Sequence, residues 1–196
     1  MAEEANFAIG ATASCSDGAC GEVSRMIVDP ATLSVTHLVI EPKHRRGERG
    51  RLVPLDLVDA TAGEIRLRCT LAEFDQLEPA EETELLEGAG GMGVGGASTP
   101  MGVPHASRTD VQDVVPLGET EVGRGEHVHA LDGEIGQVEG FLVDPGDHRV
   151  THVLLREGHL WGRKEVAIPV SAVTRIQDGI RLNMTKKQIE DLPSAD

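Results

Sequence analysis

SDGACGEVSRMIVDPATLSVTHLVIE, residues 16–41, aligns without a gap with LDGEIGQVEGFLVDPGDHRVTHVLLR, residues 131–156. Asp17-Gly18 pairs with Asp132-Gly133, an offset of 132 − 17 = 115 residues. The same offset pairs Gly21 with Gly136, His37 with His152, and Pro54 with Pro169. One register that holds across apolar, turn and charged positions together indicates two copies of one domain.

A segment of different composition separates the two copies. It contains GAGGMGVGGASTPMGVPH, and residues 81–120 carry 1 basic and 7 acidic side chains. Gly, Ser and Pro at this density bury little apolar surface to offset chain entropy, which predicts a flexible linker. We therefore predict a first repeat over residues 1–79, an acidic Gly/Pro-rich linker over residues 80–120, and a second repeat over residues 121–196.

Composition excludes some classes of function. The chain has 18 Lys and Arg against 33 Asp and Glu, a formal charge of −15, and only three Phe, one Trp and no Tyr. General nucleic-acid binding needs clustered cations and stacking aromatics, so it is not expected. No apolar run reaches the roughly 18 residues of a membrane span, and the N-terminus is acidic, which predicts a cytoplasmic protein. An odd cysteine count (Cys15, Cys20, Cys69) predicts buried small hydrophobes rather than disulfides.

Each copy reads as a small antiparallel β-domain. Short runs rich in Val, Ile, Leu and Thr are separated at close intervals by Asp-Gly and Asp-Pro breaks. The final TKKQIEDLP, residues 185–193, has the spacing of a helical turn that ends before a proline.

These motifs resemble the PRC-barrel family, a small β-barrel found in the photosynthetic reaction-centre H subunit and in the ribosome maturation factor. The resemblance rests on D-G-x-x-G-x-V, V-D-P, V-T-H, the later [VI]-P-[LV] and the closing helix in both copies. It implies a mainly β fold of two tandem small antiparallel PRC-type barrels, each closed by a short helical turn. Because a barrel of about 70 residues is marginal alone, we expect the two to pack about a pseudo-twofold axis.

The repeated signature residues are expected to be structural. Asp in a Gly or Pro turn caps backbone N–H groups, and a strand histidine without a carboxylate or cysteine at ligand spacing is usually hydrogen-bonded. The alternative for His37 and His152 is a titrating or metal-binding pair, and His127 with His129 could hold a metal weakly. No catalytic, cofactor or metal residues are predicted. The signature set is Asp17, Gly18, Gly21, His37, Pro54, Asp132, Gly133, Gly136, His152 and Pro169.

Two equivalent loops differ between the copies and are the candidate interaction sites. The first, PKHRRGERGR, contributes Lys43, Arg45, Arg46 and Arg49. It is either a solvated charge run or a contact for an anion or an acidic protein, with the acidic linker as an intramolecular candidate. The second, EGHLWGRKE, contributes Trp161, Arg163 and Lys164. Trp161 either closes the barrel mouth or anchors an interface.

The sequence favours a non-enzymatic module for protein interaction or assembly, with an unidentified protein partner. The alternative is a small-molecule or ion sensor that uses the groove between the two barrels. Roles in ribosome maturation or photosynthetic assembly follow only by family analogy and are weaker. The characteristic N-terminal domain of the maturation factor and the membrane helix of the H subunit have no counterpart in this sequence.

Overall fold

A computed structural model describes residues 4–42, 50–61, 64–85, 109–157 and 165–192. The strands and helices of the first repeat are β1 (Ala5–Ala8), β2 (Thr12–Cys15), β3 (Gly18–Asp29), β4 (Ser34–Glu41), β5 (Arg51–Pro54), β6 (Val58–Thr61), β7 (Glu64–Leu67) and α1 (Leu71–Phe74). Two further strands follow, β8 (Glu81–Leu85) and β9 (Thr109–Asp113). The second repeat comprises β10 (Thr120–Gly123), β11 (His127–Ala130), β12 (Gly133–Val143), β13 (Val150–Glu157), β14 (Glu165–Pro169), β15 (Val173–Arg175), β16 (Ile180–Leu182) and α2 (Lys186–Glu190).

The two repeats form two matching curled sheets. Their strand orders are β5-β4-β3-β2-β7-β6 and β14-β13-β12-β11-β16-β15, so each element of one repeat has its counterpart in the other. Pairing is antiparallel except for β2 with β7 and β11 with β16, which are parallel. The predicted mainly β fold of two small barrels is confirmed.

Each barrel closes with a short capped helix, as the sequence predicts. Thr70 and Glu73 form a capping box at the start of α1, and Thr185 and Gln188 form one at the start of α2. The Asp17 carboxylate accepts a hydrogen bond from the Leu71 backbone N–H at 2.8 Å. Asp132 does the same for Lys186 at 2.9 Å. The aspartates of the two Asp-Gly turns thus accept from the first turn of a distant helix and tie it to the sheet.

The first strand of each repeat belongs to the sheet of the other repeat. Strand β1 pairs antiparallel with β12, and β10 pairs antiparallel with β3. The registers are equivalent, because Ala5 lies opposite Val143 and Thr120 lies opposite Val28, each pair related by the 115-residue offset. The repeats are therefore interlocked by reciprocal strand exchange within one chain.

The chain crosses from one barrel to the other between two consecutive residues. The Ile9 N–H donates to the Glu139 carbonyl of the second repeat at 2.6 Å, whereas the Gly10 N–H donates to Val23 of the first at 2.7 Å. Gly10 has φ +91° and its counterpart Gly125 has φ +90°. A glycine suits this sharp change of direction because it adopts positive φ without steric cost.

A pseudo-twofold axis passes between the β3–β4 hairpin and the β12–β13 hairpin at the barrel junction. The Val35 N–H donates to the His148 carbonyl at 3.0 Å, and the Val150 N–H donates to the Leu33 carbonyl at 2.8 Å. Each bond maps onto the other by the repeat offset. Buried apolar residues from both repeats form one continuous core cluster. Within it, Phe7 lies opposite Phe141 across the exchanged strand, and both are almost fully buried.

The two ends of the predicted linker form strands, which the sequence analysis did not anticipate. Strands β8 and β9 pair antiparallel, and the Val114 N–H donates to the Ala80 carbonyl at 2.8 Å. Ala80, Val114 and Val115 cover a second apolar cluster on the outer face of the first sheet, formed by Ile27, Val39 and Leu52. Residues 86–108 of the predicted linker lie outside the described residues.

An arginine also holds these two strands against the first barrel. The largely buried Arg25 side chain of β3 forms ion pairs with Glu81, Asp113 and Glu121, which lie on β8, β9 and β10. Although burial by itself favours its neutral form, these carboxylates raise the pKa of Arg25. Burial raises the pKa of Glu121, an effect that Arg25 partly offsets. The second repeat has Gly140 at the position equivalent to Arg25, so this contact belongs to the first barrel alone.

Candidate binding groove between the barrels

A groove with a volume of about 410 Å³ lies at the seam between the two repeats. We call it the inter-barrel groove. One wall comes from exchanged strand β1 and from the second repeat, and the other comes from the last strands of the first repeat. Its lining residues are Ala5, Phe7, Leu55, Val58, Asp59, Arg66, Arg68, Val143, Pro145 and His148.

Strand exchange builds the apolar part of the groove. Ala5 and Phe7 point to the same face of β1 because alternate residues of a strand share a face. Val143 lies opposite Ala5 on β12. The first repeat contributes Leu55, the first residue of the 3-10 turn after Pro54, and Val58, which follows that turn. These side chains are all nearly buried, so the groove is shaped by the core and not by mobile surface groups.

The polar part of the groove contains two arginines, each paired with an exposed carboxylate. Arg66 and Arg68 are two apart near the end of the first barrel, and both are exposed. Arg66 pairs with Glu64 at 3.3 Å, and Arg68 pairs with Asp59 at 3.1 Å. Both side chains of each ion pair are exposed to solvent. Because exposed ion pairs contribute little stability, a ligand can compete for either arginine. His148 adds an imidazole on the opposite wall.

The pseudo-twofold axis relates this groove to a counterpart surface with different chemistry. At the offset of 115 residues, Arg66 corresponds to Arg181, but Arg68 corresponds to Asn183. His148 corresponds to Leu33, and Asp59 corresponds to Thr174. The counterpart surface therefore has Asn183 and Leu33 in place of Arg68 and His148. Across its last two strands Arg175 lies opposite Arg181, whereas Asp59 lies opposite Arg66 in the first repeat.

The predicted loop residues cannot be related to this groove. Lys43, Arg45, Arg46, Arg49, Trp161, Arg163 and Lys164 lie outside the described residues. Both loops connect equivalent strands, β4 to β5 in the first repeat and β13 to β14 in the second. Their role in binding stays a prediction.

The two signature histidines contact carboxylates that come from distant parts of the chain. His37 Nδ1 lies 3.0 Å from Thr36 Oγ1 and 3.9 Å from Glu119, and the Thr36 hydroxyl donates to Glu119 at 2.6 Å. His152 lies 3.1 Å from Thr151 Oγ1 and 3.7 Å from Glu4.

Glu119 and Glu4 are themselves repeat equivalents, and each comes just before an exchanged strand. The V-T-H motif thus contacts the start of the strand supplied by the other repeat. Strand exchange brings these carboxylates close, so spacing along the sequence gave no sign of them.

The other signature residues serve turns and close approaches. A Cβ on Gly21 would lie 2.2 Å from the Glu41 carbonyl oxygen of the neighbouring strand β4, so this position excludes a side chain. Pro54 and Pro169 each precede a 3-10 turn, Leu55–Leu57 and Val170–Ala172. Gly18 and Gly133 begin the long strands β3 and β12, and Gly136 pairs with Val128 in β11 and Glu157 in β13.

His127 has a carboxylate partner of its own. Its Nδ1 lies 2.7 Å from Glu134, and its ring centroid is 6.5 Å from that of His129. Across the described ranges, no cluster of three His, Cys, Asp or Glu side chains could hold a metal ion.

The three cysteines meet in the core of the first barrel. Cys15, Cys20 and Cys69 are free and buried, and burial together with mutual contact raises the pKa of the Cys15 thiol. Burial also raises the pKa of Cys20 and of Cys69. The equivalent residues of the second repeat are Ala130, Ile135 and Met184, all apolar. The comparison favours a packing role for the thiols.

We expect these thiols to resist alkylation while the protein is folded. A raised pKa leaves little thiolate at pH 8, and the thiolate is the reactive form. Iodoacetamide followed by mass spectrometry should label fewer than about one thiol in ten in the native protein over a time that labels all three in urea. Rapid native labelling of Cys15 would contradict the packing role.

Sequence reasoning missed Arg66 and Arg68 as site residues. Arg66 is the arginine of the I-R-L motif that both repeats share, and Arg68 follows two positions later. The sequence thus shows two arginines at the spacing of side chains on one face of a strand. The opposite wall, which gives that signal its meaning, comes from residues roughly 60 to 80 positions away.

A comparison with known families supports the resemblance for the second repeat. Residues 129–189 match the PRC-barrel domain. The match covers β12 through most of α2 and begins within β11. It does not extend to the first repeat, whose place in the same family stays a prediction. No curated protein matches the chain. Among the described residues, no helix is long and apolar enough to cross a membrane.

Proposed function

We propose that the chain is a non-enzymatic, cytoplasmic binding module that assembles with a partner protein through the surface at the junction of its two barrels. The observation that carries this proposal is the reciprocal strand exchange. It joins two small β-barrels into one continuous core and leaves a preformed groove at the seam. A preformed surface loses little conformational entropy on binding, which favours recognition.

Charge gives the junction its selectivity. The chain has a formal charge of −15, so an approaching acidic partner is repelled by most of its surface. Arg66 and Arg68 at the inter-barrel groove are a local exception, and the sequence adds the Arg-rich loop at residues 43–49. A partner with an acidic contact region would be oriented toward these positions.

A cross-linking pull-down of the full chain from its host lysate tests this proposal. Three matched proteins are compared: wild type, a groove variant (Arg66→Gln with Arg68→Gln), and a loop variant (Arg45→Ala, Arg46→Ala, Trp161→Ala). We expect a specific partner captured by wild type to be reduced at least about fivefold by the groove variant, since charged contacts contribute about 1 kcal/mol or more. If only the loop variant fails to capture the partner, the loops and not the groove form the contact surface. Identical capture by all three proteins would refute the junction as the contact surface.

A second candidate function is ligand sensing at the same groove. It is favoured by a specific observation, the groove of about 410 Å³ whose lining combines apolar side chains with charged and polar ones, a size within the range of small-molecule sites. A thermal-shift screen of metabolites, nucleotides and metal ions tests it, because a ligand specific to the folded state must raise its stability. A screen without any stabiliser would contradict it.

A further inference from the structure

We infer that the inter-barrel groove, and not its pseudo-twofold counterpart, binds an amphiphilic anion: one acidic head group on an apolar body of roughly ten carbon atoms. The inference rests on the second proposed function, ligand sensing, and names the class of ligand. It is independent of the proposed protein assembly.

The apolar body is required by the walls of the groove. Ala5, Phe7, Leu55, Val58 and Val143 line the floor of the groove with aliphatic and aromatic side chains, and 9% or less of each is exposed. An ion without an apolar part would gain nothing from these walls. A cavity of about 410 Å³ accommodates a medium-length chain or a small ring system.

The acidic head group is required by the charged side chains. Arg66 and Arg68 present guanidinium groups, which bind carboxylates and phosphates through paired N–H donors. Glu64 and Asp59, their present partners, are exposed carboxylates that a ligand head group can replace. Asp59 lines the groove and opposes an anion, so its removal should strengthen binding.

The internal repeat explains why the inter-barrel groove, and not the counterpart surface, should bind. Both surfaces have an arginine at the equivalent position, Arg66 and Arg181. Only the inter-barrel groove adds Arg68 and His148, whereas its counterpart has Asn183 and Leu33 there. One chain should therefore bind one amphiphilic anion, although its fold is pseudo-symmetric.

Titration of the full chain with sodium decanoate, followed by calorimetry, tests the inference. We expect saturable binding with one site per chain. Acetate, which lacks the apolar body, and decyltrimethylammonium, which has the opposite charge, should bind at least about tenfold more weakly. Decyl phosphate is run in parallel, and tighter binding of this probe with the same dependence on arginine would assign the head group to phosphate within the same class.

Four variants locate the site. Arg66→Gln and Arg68→Gln should each weaken decanoate binding at least about threefold, and Asp59→Asn should tighten it about two- to threefold. Arg181→Gln is the matched control and should leave binding unchanged. All four side chains are exposed, so the folded state should survive, and unchanged thermal unfolding verifies this.

Three results would overturn the inference: equal binding of decyltrimethylammonium, an equal effect of Arg181→Gln and Arg66→Gln, or no binding of either anionic probe. If neither anionic probe binds, the thermal-shift screen distinguishes the two proposals. A stabiliser whose effect is reduced by groove substitutions would support ligand sensing with another class of ligand. Absence of any such stabiliser would remove the sensing function as well.

Discussion

Produced separately, residues 1–85 and 109–196 will not fold as stable monomers. Each fragment lacks the strand that completes its sheet and carries a strand that belongs to the other sheet. Fragment 1–85 would lose Val122, which is fully buried opposite Met26, and fragment 109–196 would lose Phe7 opposite Phe141. Uncovering two large core side chains costs several kcal/mol, comparable to the total stability of a domain this small.

The fragments should nevertheless complement each other. We expect each one alone to be unfolded or to form a homodimer that exchanges its first strand between copies, and an equimolar mixture to give a 1:1 complex. Light scattering with size-exclusion chromatography and far-UV circular dichroism measures both. As a control, the intact chain with a protease site inserted between residues 85 and 109 should stay associated after cleavage. A monomeric fragment with a cooperative unfolding transition would contradict the importance of the exchanged strands.

Gly140→Ala should destabilise the protein by about 1–3 kcal/mol, the typical range for overpacking. A Cβ at this position would lie 2.2 Å from the Phe7 carbonyl oxygen and 2.9 Å from Ala8 Cα. Both atoms belong to the backbone of exchanged strand β1, so no side-chain rotation can relieve the contact. Strand β1 must move away from β12, and Phe7 moves with it.

The repeat supplies the control for this substitution. Gly123 lies on the other exchanged strand, β10, opposite Arg25, and its added Cβ would meet Arg25 Cγ at 3.4 Å and Cδ at 3.8 Å, both ordinary contacts with a flexible side chain. Gly123→Ala should therefore change stability by less than about 1 kcal/mol. The melting temperature of Gly140→Ala should be about 2–12 °C below that of the wild type, and hydrogen exchange should increase at residues 5–8. Equal melting temperatures for the two variants would show that the close approach at Gly140 has no energetic consequence.

Much of the fold was predictable because it depends on local chemistry. Turns with Asp-Gly and Asp-Pro, β-branched runs and the Thr-x-x-Glu and Thr-x-x-Gln helix starts specify short strands and a closing helix in both repeats. The paired ends of the linker were not predictable in the same way. Glu81 and Asp113 resemble solvated acidic residues until Arg25 is placed between them.

The candidate site was only partly accessible from sequence. A groove between the barrels was a reasonable alternative once the repeat was found, and the arginines at residues 66 and 68 are visible on a strand. Their partner wall comes from β1 and from His148, which reach the groove through strand exchange. The loops that sequence reasoning preferred stay untested, because they lie outside the described residues.

By itself the sequence determined two repeats, their short strands and their closing helical turns, since these depend on neighbouring residues and on an internal register that can be read directly. Only the tertiary structure decided which barrel receives each first strand. Strands β3 and β12 are so similar that β1 has an equivalent edge in either barrel, and local pattern cannot distinguish them. The decision depends on the path of the chain between Ile9 and Gly10 and on contacts between residues more than a hundred positions apart, and the inter-barrel groove is a consequence of it.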